Sequence, residues 1–73
     1  MFPEYRDLIT KLKTSDAHFH KLFEEHNALD QRIKNMESHI EHGTEVEIET
    51  LKKEKLHLKD AMYAILRKAD AEA

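Results

Sequence analysis

From Phe19 the apolar positions step through Phe19, Leu22, His26, Leu29, Ile33, Met36 and Ile40, alternating three- and four-residue spacings, with His26 the one polar member. A run that holds this spacing is a heptad seam, a helical stripe turned continuously toward a partner helix. A second seam follows in the same rhythm: Ile48, Leu51, Lys55, Leu58, Met62, Ile65 and Ala69. Between them Gly43 reads as the residue that ends the first helix, because glycine enters the left-handed region without steric cost. Thr44 and Glu47 fit the capping box that opens the next helix. Upstream, Phe2, Tyr5, Leu8, Ile9 and Leu12 mark a shorter amphipathic helix. Pro3 suits its first turn, and Glu4 and Asp7 suit the positive end of its dipole. Thr14-Ser15-Asp16 then supplies a break and an N-cap. The pattern predicts helices at about residues 3–13, 16–42 and 45–69, with a frayed tail at 70–73.

The turn around His42-Gly43-Thr44 is short, so two long helices joined there are expected to fold back antiparallel. Each would be about 39 Å long at 1.5 Å per residue. The flanking charges fit one register. Glu37 would face Lys52, Asp30 would face Lys59 and Phe23 would face Leu66 on one side; Arg32 would face Glu54 and His39 would face Glu47 on the other. Each exposed pair contributes only about 0.2–1 kcal/mol, and their agreement selects one pairing over slipped ones. The expected fold is all-α: a short N-terminal helix followed by an antiparallel two-helix coiled-coil hairpin, in one domain over residues 1–73.

Composition narrows the function more than the fold. The chain has 73 residues and no cysteine, which excludes disulfides, thiolate metal sites and a thiol nucleophile. Its net charge of −3 argues against a broadly basic nucleic-acid-binding surface. No apolar run approaches the roughly 18 residues of a membrane span. The opening Met1-Phe2-Pro3-Glu4-Tyr5-Arg6-Asp7 lacks the pattern of a signal peptide. A cytoplasmic protein is the expectation.

The opening from Met1 through Leu8-Ile9 resembles the start of the bacterial YdcH-like family of small proteins. Two further blocks agree: Leu22-Phe23 with His26-Asn27 and Leu29-Asp30, then Lys52-Lys53, Lys55-Leu56 and Leu58-Lys59-Asp60. The resemblance covers nearly the whole chain and implies a small helical hairpin. It implies no catalytic residues, because the family is one of uncharacterised proteins. The chain departs from it mainly at Glu45-Val46-Glu47-Ile48, beside the turn.

Six histidines invite a metal reading. His18 and His20 point to different helix faces, and no third ligand converges on His39 and His42. Glu54 and His57 match the Glu-x-x-His of bundle di-metal sites, but that site needs the motif twice and on the seam. No metal, cofactor or catalytic group is expected, and the chain is not read as an enzyme. His26 on the seam is either a neutral imidazole satisfied by Asp30 or a water, or a pH-sensitive element. Lys55, the other polar seam residue, is expected to specify register or oligomeric state, its ammonium reaching Glu37 or a partner helix.

The apolar surface outside the seam carries the functional expectation. Phe19, Phe23, Ile65 and Leu66 crowd the open end, while Leu56 and Tyr63 form a second stripe. The first helix, with Phe2, Tyr5 and Leu8, is expected to fold back over that end and leave part of the stripe uncovered. Phe2, Tyr5, Leu8, Phe19, Phe23, Leu56, Tyr63 and Leu66 are therefore the expected partner or oligomer contacts. The function expected is a protein–protein interaction module, self-associating into a bundle or docking on a larger cytoplasmic protein. The alternative is a small nucleic-acid-binding regulator using Lys52, Lys53, Lys55 and Lys59. No membrane or small-molecule partner is expected.

Overall fold

The computed structural model describes residues 2–72, and these are helical with no strand. Pro3–Tyr5 form a 3-10 turn that runs into α1, Arg6–Ser15. Asp16 is extended, at φ −128° and ψ 105°, and its Oδ1 accepts the Phe19 N–H at 3.1 Å, so one residue both breaks the chain and caps α2, Ala17–Glu37. Helix α3 is Glu45–Glu72. The Thr44 Oγ1 accepts the Glu47 N–H at 3.1 Å, and the Thr44 hydroxyl donates to Glu47 Oε1 at 3.3 Å. The cap forms as the sequence suggests, although the glutamate grips the hydroxyl rather than the backbone.

Two helix ends differ from the sequence expectation. Helix α2 stops at Glu37 instead of near residue 42. The left-handed residue that ends it is His39, at φ 63°, while Gly43 has no positive φ. The His39 N–H bonds the Met36 carbonyl at 3.2 Å and the Ile40 N–H bonds the Asn35 carbonyl at 2.9 Å. This pair of bonds is a Schellman motif, which satisfies the last carbonyls of the helix. The apolar contact that usually accompanies the motif would join Ile40 to position 35. That position is Asn35, so Ile40 is left 78% exposed instead of extending the seam. Gly43 serves a different purpose, since a Cβ there would lie 2.6 Å from the Sδ of buried Met36. At the other terminus, the tail expected to fray is helical through Glu72; residue 73 lies outside the described residues.

Along α2 and α3 the predicted seam positions are, Ile40 apart, withdrawn from water, and so is Leu66, which flanks them. Phe19, Leu22, His26, Ile33, Met36 and Met62 are buried, and Leu29, Ile48, Leu51, Lys55, Leu58, Ile65 and Ala69 are half-buried. The ion pairs join late residues of α2 to early residues of α3: Glu37 to Lys52 at 3.4 Å and Asp30 to Lys55 at 2.8 Å. The main core gathers at the far end from the turn, where Ile9 of α1 joins Phe19, Leu22, Met62 and Leu66. Phe2, Tyr5, Leu8, Leu12, Phe23, Leu58 and Ile65 pack around it. Among the described residues α1 and the turn leading into it add the third element to this layer, and α1 is 10 residues long against 28 in α3. At 1.5 Å per residue it covers about 15 Å of a helix about 42 Å long.

Candidate interaction surface

The N-terminal turn covers part of the second apolar stripe. Phe2 sits in the left-handed region at φ 40°, and its ring stacks on Tyr63 with centroids 5.2 Å apart. Tyr5 approaches the same ring at 6.2 Å. Lys59 lies 5.6 Å over Phe2, and Arg67 lies 5.7 Å from Tyr63. Tyr63 is left 38% exposed, and Leu56, one heptad earlier on the same face, is 55% exposed. On the α2 side Phe23 stacks on Phe19 and carries the Lys13 ammonium 4.5 Å above its ring.

The expected contact residues therefore fall into three groups. Phe19 and Leu66 are 0% exposed; they form the core under α1 and offer no surface while it is in place. Phe2, Tyr5, Leu8 and Phe23 are half-buried where α1 meets the other two helices. Leu56 and Tyr63 keep substantial surface. The sequence reading missed a second region. Ala28, Leu29 and Leu58 line a groove of about 530 Å³ between α2 and α3, rimmed by Glu25, Glu54 and His57. No residue of α1 reaches it, since α1 packs beside Phe23 and Asn27 of α2. Its signal in the sequence was the pairing of two seam leucines with Ala28, too small to cover them.

The two polar seam residues lie close together. The Lys55 ammonium reaches Asp30 rather than Glu37, and Asp30 also takes Lys34 at 3.0 Å. These two cations pull the Asp30 pKa down to about 2. Asp30 is thus engaged and does not satisfy His26, whose buried Nδ1 has no hydrogen-bond partner among the described residues. Burial lowers the His26 pKa, and the Lys55 and Lys59 charges act the same way against the opposing pull of the Asn27 side chain and Asp30. Elsewhere the expected charge pairs rearrange. Arg32 bonds Glu41 at 3.4 Å instead of Glu54, because the chain turns back after His39. The same reversal separates His39 from Glu47, which bonds Thr44. Lys59 goes to the Phe2 ring rather than to Asp30. Among the described residues, no group of three or more His, Asp or Glu could hold a metal ion, and no helix is long and apolar enough to cross a membrane.

The model of a family described as "Protein of unknown function (DUF465)" matches residues 19–66. Over 67 residues the chain is 48% identical to the "Uncharacterized protein YdcH" of Escherichia coli (strain K12), covering 92% of this chain and 90% of that protein. It belongs to the YdcH-like family. The "Uncharacterized protein YdcH" of Shigella flexneri matches with the same identity and coverage. No solved structure matches the YdcH-like chain. The span matched by the family model opens at Phe19 and closes at Leu66, both wholly buried, so it takes in the α2–α3 core and the turn between them.

Proposed function

We propose that this chain is a non-catalytic protein–protein interaction module. Its α2 and α3 form an antiparallel two-helix coiled-coil hairpin, with α1 closing the open end. The module self-associates into a helical bundle and docks on a larger cytoplasmic protein. The heptad seams and the order of the Glu37–Lys52 and Asp30–Lys55 pairs support the hairpin. The observation that carries the function is the groove over Ala28, Leu29 and Leu58, which α1 leaves open. Two helices bury only the facing stripe of each other, and a four-helix bundle buries the rest by stacking a second pair. Leu56, 55% exposed, lies two residues from both Glu54 and Leu58 and so on the other flank of α3, where it is a separate apolar surface. The lysine-rich face favours nucleic acid less, because Lys52 and Lys55 are held by Glu37 and Asp30.

A dilution series followed by methyl NMR tests this. The Leu29 and Leu58 methyls are expected to shift with protein concentration, in 0.1 and in 0.5 M salt alike, while Ile9 stays fixed. Apolar docking tolerates salt, whereas phosphate contacts weaken steeply with it. Unmoved leucine methyls, with an RNA oligonucleotide bound at low salt and released at 0.5 M, would replace this reading with the nucleic-acid one.

A further inference from the structure

The junction between α1 and α2 is a single residue. Helical hydrogen bonds run up to it from both sides: the Asp16 N–H bonds the Leu12 carbonyl at 2.9 Å, and the Asp16 carbonyl accepts from His20 at 2.9 Å. Only the extended conformation of Asp16 separates the two helices. The stretch from Leu12 to Phe19 contains no glycine or proline. Thr14 and Ser15 already bond back to the Lys11 carbonyl at 3.0 and 2.9 Å, as they would inside a continuous helix. If Asp16 turned helical, the Ala17, His18 and Phe19 N–H groups would take the carbonyls of Lys13, Thr14 and Ser15. The loss would be one side-chain cap, Asp16 to Phe19. The break and the continuous helix are therefore closely matched locally. What holds the break is the packing of α1 at the open end.

Straightening would carry α1 off Phe19, Met62 and Leu66, each 0% exposed with α1 in place. Such an apolar surface does not remain in water. The segment that already fits it, side chain for side chain, is α1 itself. We propose that α1 is an exchangeable arm: in a dimer, each copy's Arg6–Glu37 becomes one helix about 48 Å long, and its Ile9 face fills the Phe19/Leu22/Met62/Leu66 site of the other copy. The occupant is a second copy of this chain. Every contact of the closed monomer is reused, so no new complementarity is required, and the two-fold exchange closes on itself as a dimer. This is independent of the groove over Leu29 and Leu58, which stays open in both forms.

Two substitutions at the junction push in opposite directions. Asp16→Ala removes the cap that favours the break and is expected to raise the dimer association constant about tenfold, with more helical signal at 222 nm. Ala17→Pro fits the break, because proline suits the first helical position and holds the preceding residue extended, close to the φ −128°, ψ 105° of Asp16. It forbids the continuous helix and is expected to suppress the exchanged dimer while the monomer still melts cooperatively. The deciding readout is a mixture of isotope-labelled and unlabelled Asp16→Ala protein, in which an intermolecular contact between Ile9 and Leu66 methyls is expected. A dimer whose Ile9–Leu66 contacts are all within one copy would overturn the proposal, and so would equal association constants for the two variants. A groove dimer gives the first of these results together with shifted Leu29 and Leu58 methyls, so the two proposals fail separately.

Discussion

His26 is the residue at which the fold is most sensitive to its surroundings. It is 8% exposed, and its Nδ1 finds no partner among the described residues. Asp30, the nearby carboxylate, is held by Lys55 and Lys34. Lys55 and Lys59 of α3 both oppose a charged imidazole, so the folded-state pKa lies below 6.5, with burial the main cause. Between that lowered value and 6.5 the unfolded chain binds the extra proton. Stability is accordingly full above pH 6.5 and falls as the pH drops from there through the folded pKa. Asp30 acts in a lower window. Its pKa is lowered from 3.8 to about 2, so its contribution is present above 3.8 and is lost as the pH falls toward 2. The expected outcome is that the melting temperature declines from pH 7 to pH 5, and that His26→Leu flattens this part of the curve. An unchanged decline in the variant would contradict this assignment to His26. The seam position of His26 was legible in the sequence, but its missing partner was not. Asp30 was available to it until the structure showed both lysines reaching that carboxylate.

At the scale of the elements, the helix starts were easier to read than the helix stops. Asp16 and Thr44 are short polar residues placed just before an apolar-periodic run, and each binds the N–H three residues on. The end of α2 was misplaced because glycine is the usual left-handed residue and Gly43 is the chain's one glycine. His39 takes that role at φ 63°, and the Ser38 hydroxyl, which donates to the Lys34 carbonyl at 2.8 Å, helps close the last turn. A histidine there carries a Cβ penalty that glycine lacks. His39→Gly is therefore expected to stabilise the protein by about 0.5–1 kcal/mol in urea denaturation. A loss of stability would mean that the His39 side chain makes a contact that offsets its backbone strain. The early stop also accounts for two charge pairs that did not form: His39 lies past the end of α2, and Arg32, still within it, pairs with Glu41 beyond that end instead of with Glu54. On the other flank the pairs kept closer to their expected places: Lys52 met Glu37, and Lys55 took Asp30 in place of Lys59.

The whole molecule measures 44 × 21 × 18 Å and is only partly a closed core. Phe19, Met62 and Leu66 are sealed where α1 adds a third layer; toward the turn Ile33 and Met36 are buried as well, while Leu29 and Leu51 keep partial exposure. The sequence marked most of the side chains that the two long helices withdraw from water, with Ile40 wrongly included and Leu66 left out. It did not show how far along the seam a ten-residue helix would reach, because that depends on the angle at Asp16 and on Phe2 finding Tyr63. Leu56 kept its surface as expected, while Phe19 and Leu66 proved to be interior. The unclosed remainder is the physical basis for reading this YdcH-like chain as a module that acts by association. Sedimentation equilibrium at neutral pH, from about 5 to about 500 μM, tests that reading most directly, because micromolar affinities fall in this range. The weight-average mass is expected to rise with concentration from 8.6 kDa toward that of a dimer or larger bundle, with little change in 0.5 M salt. A mass that stays at 8.6 kDa throughout would contradict self-association.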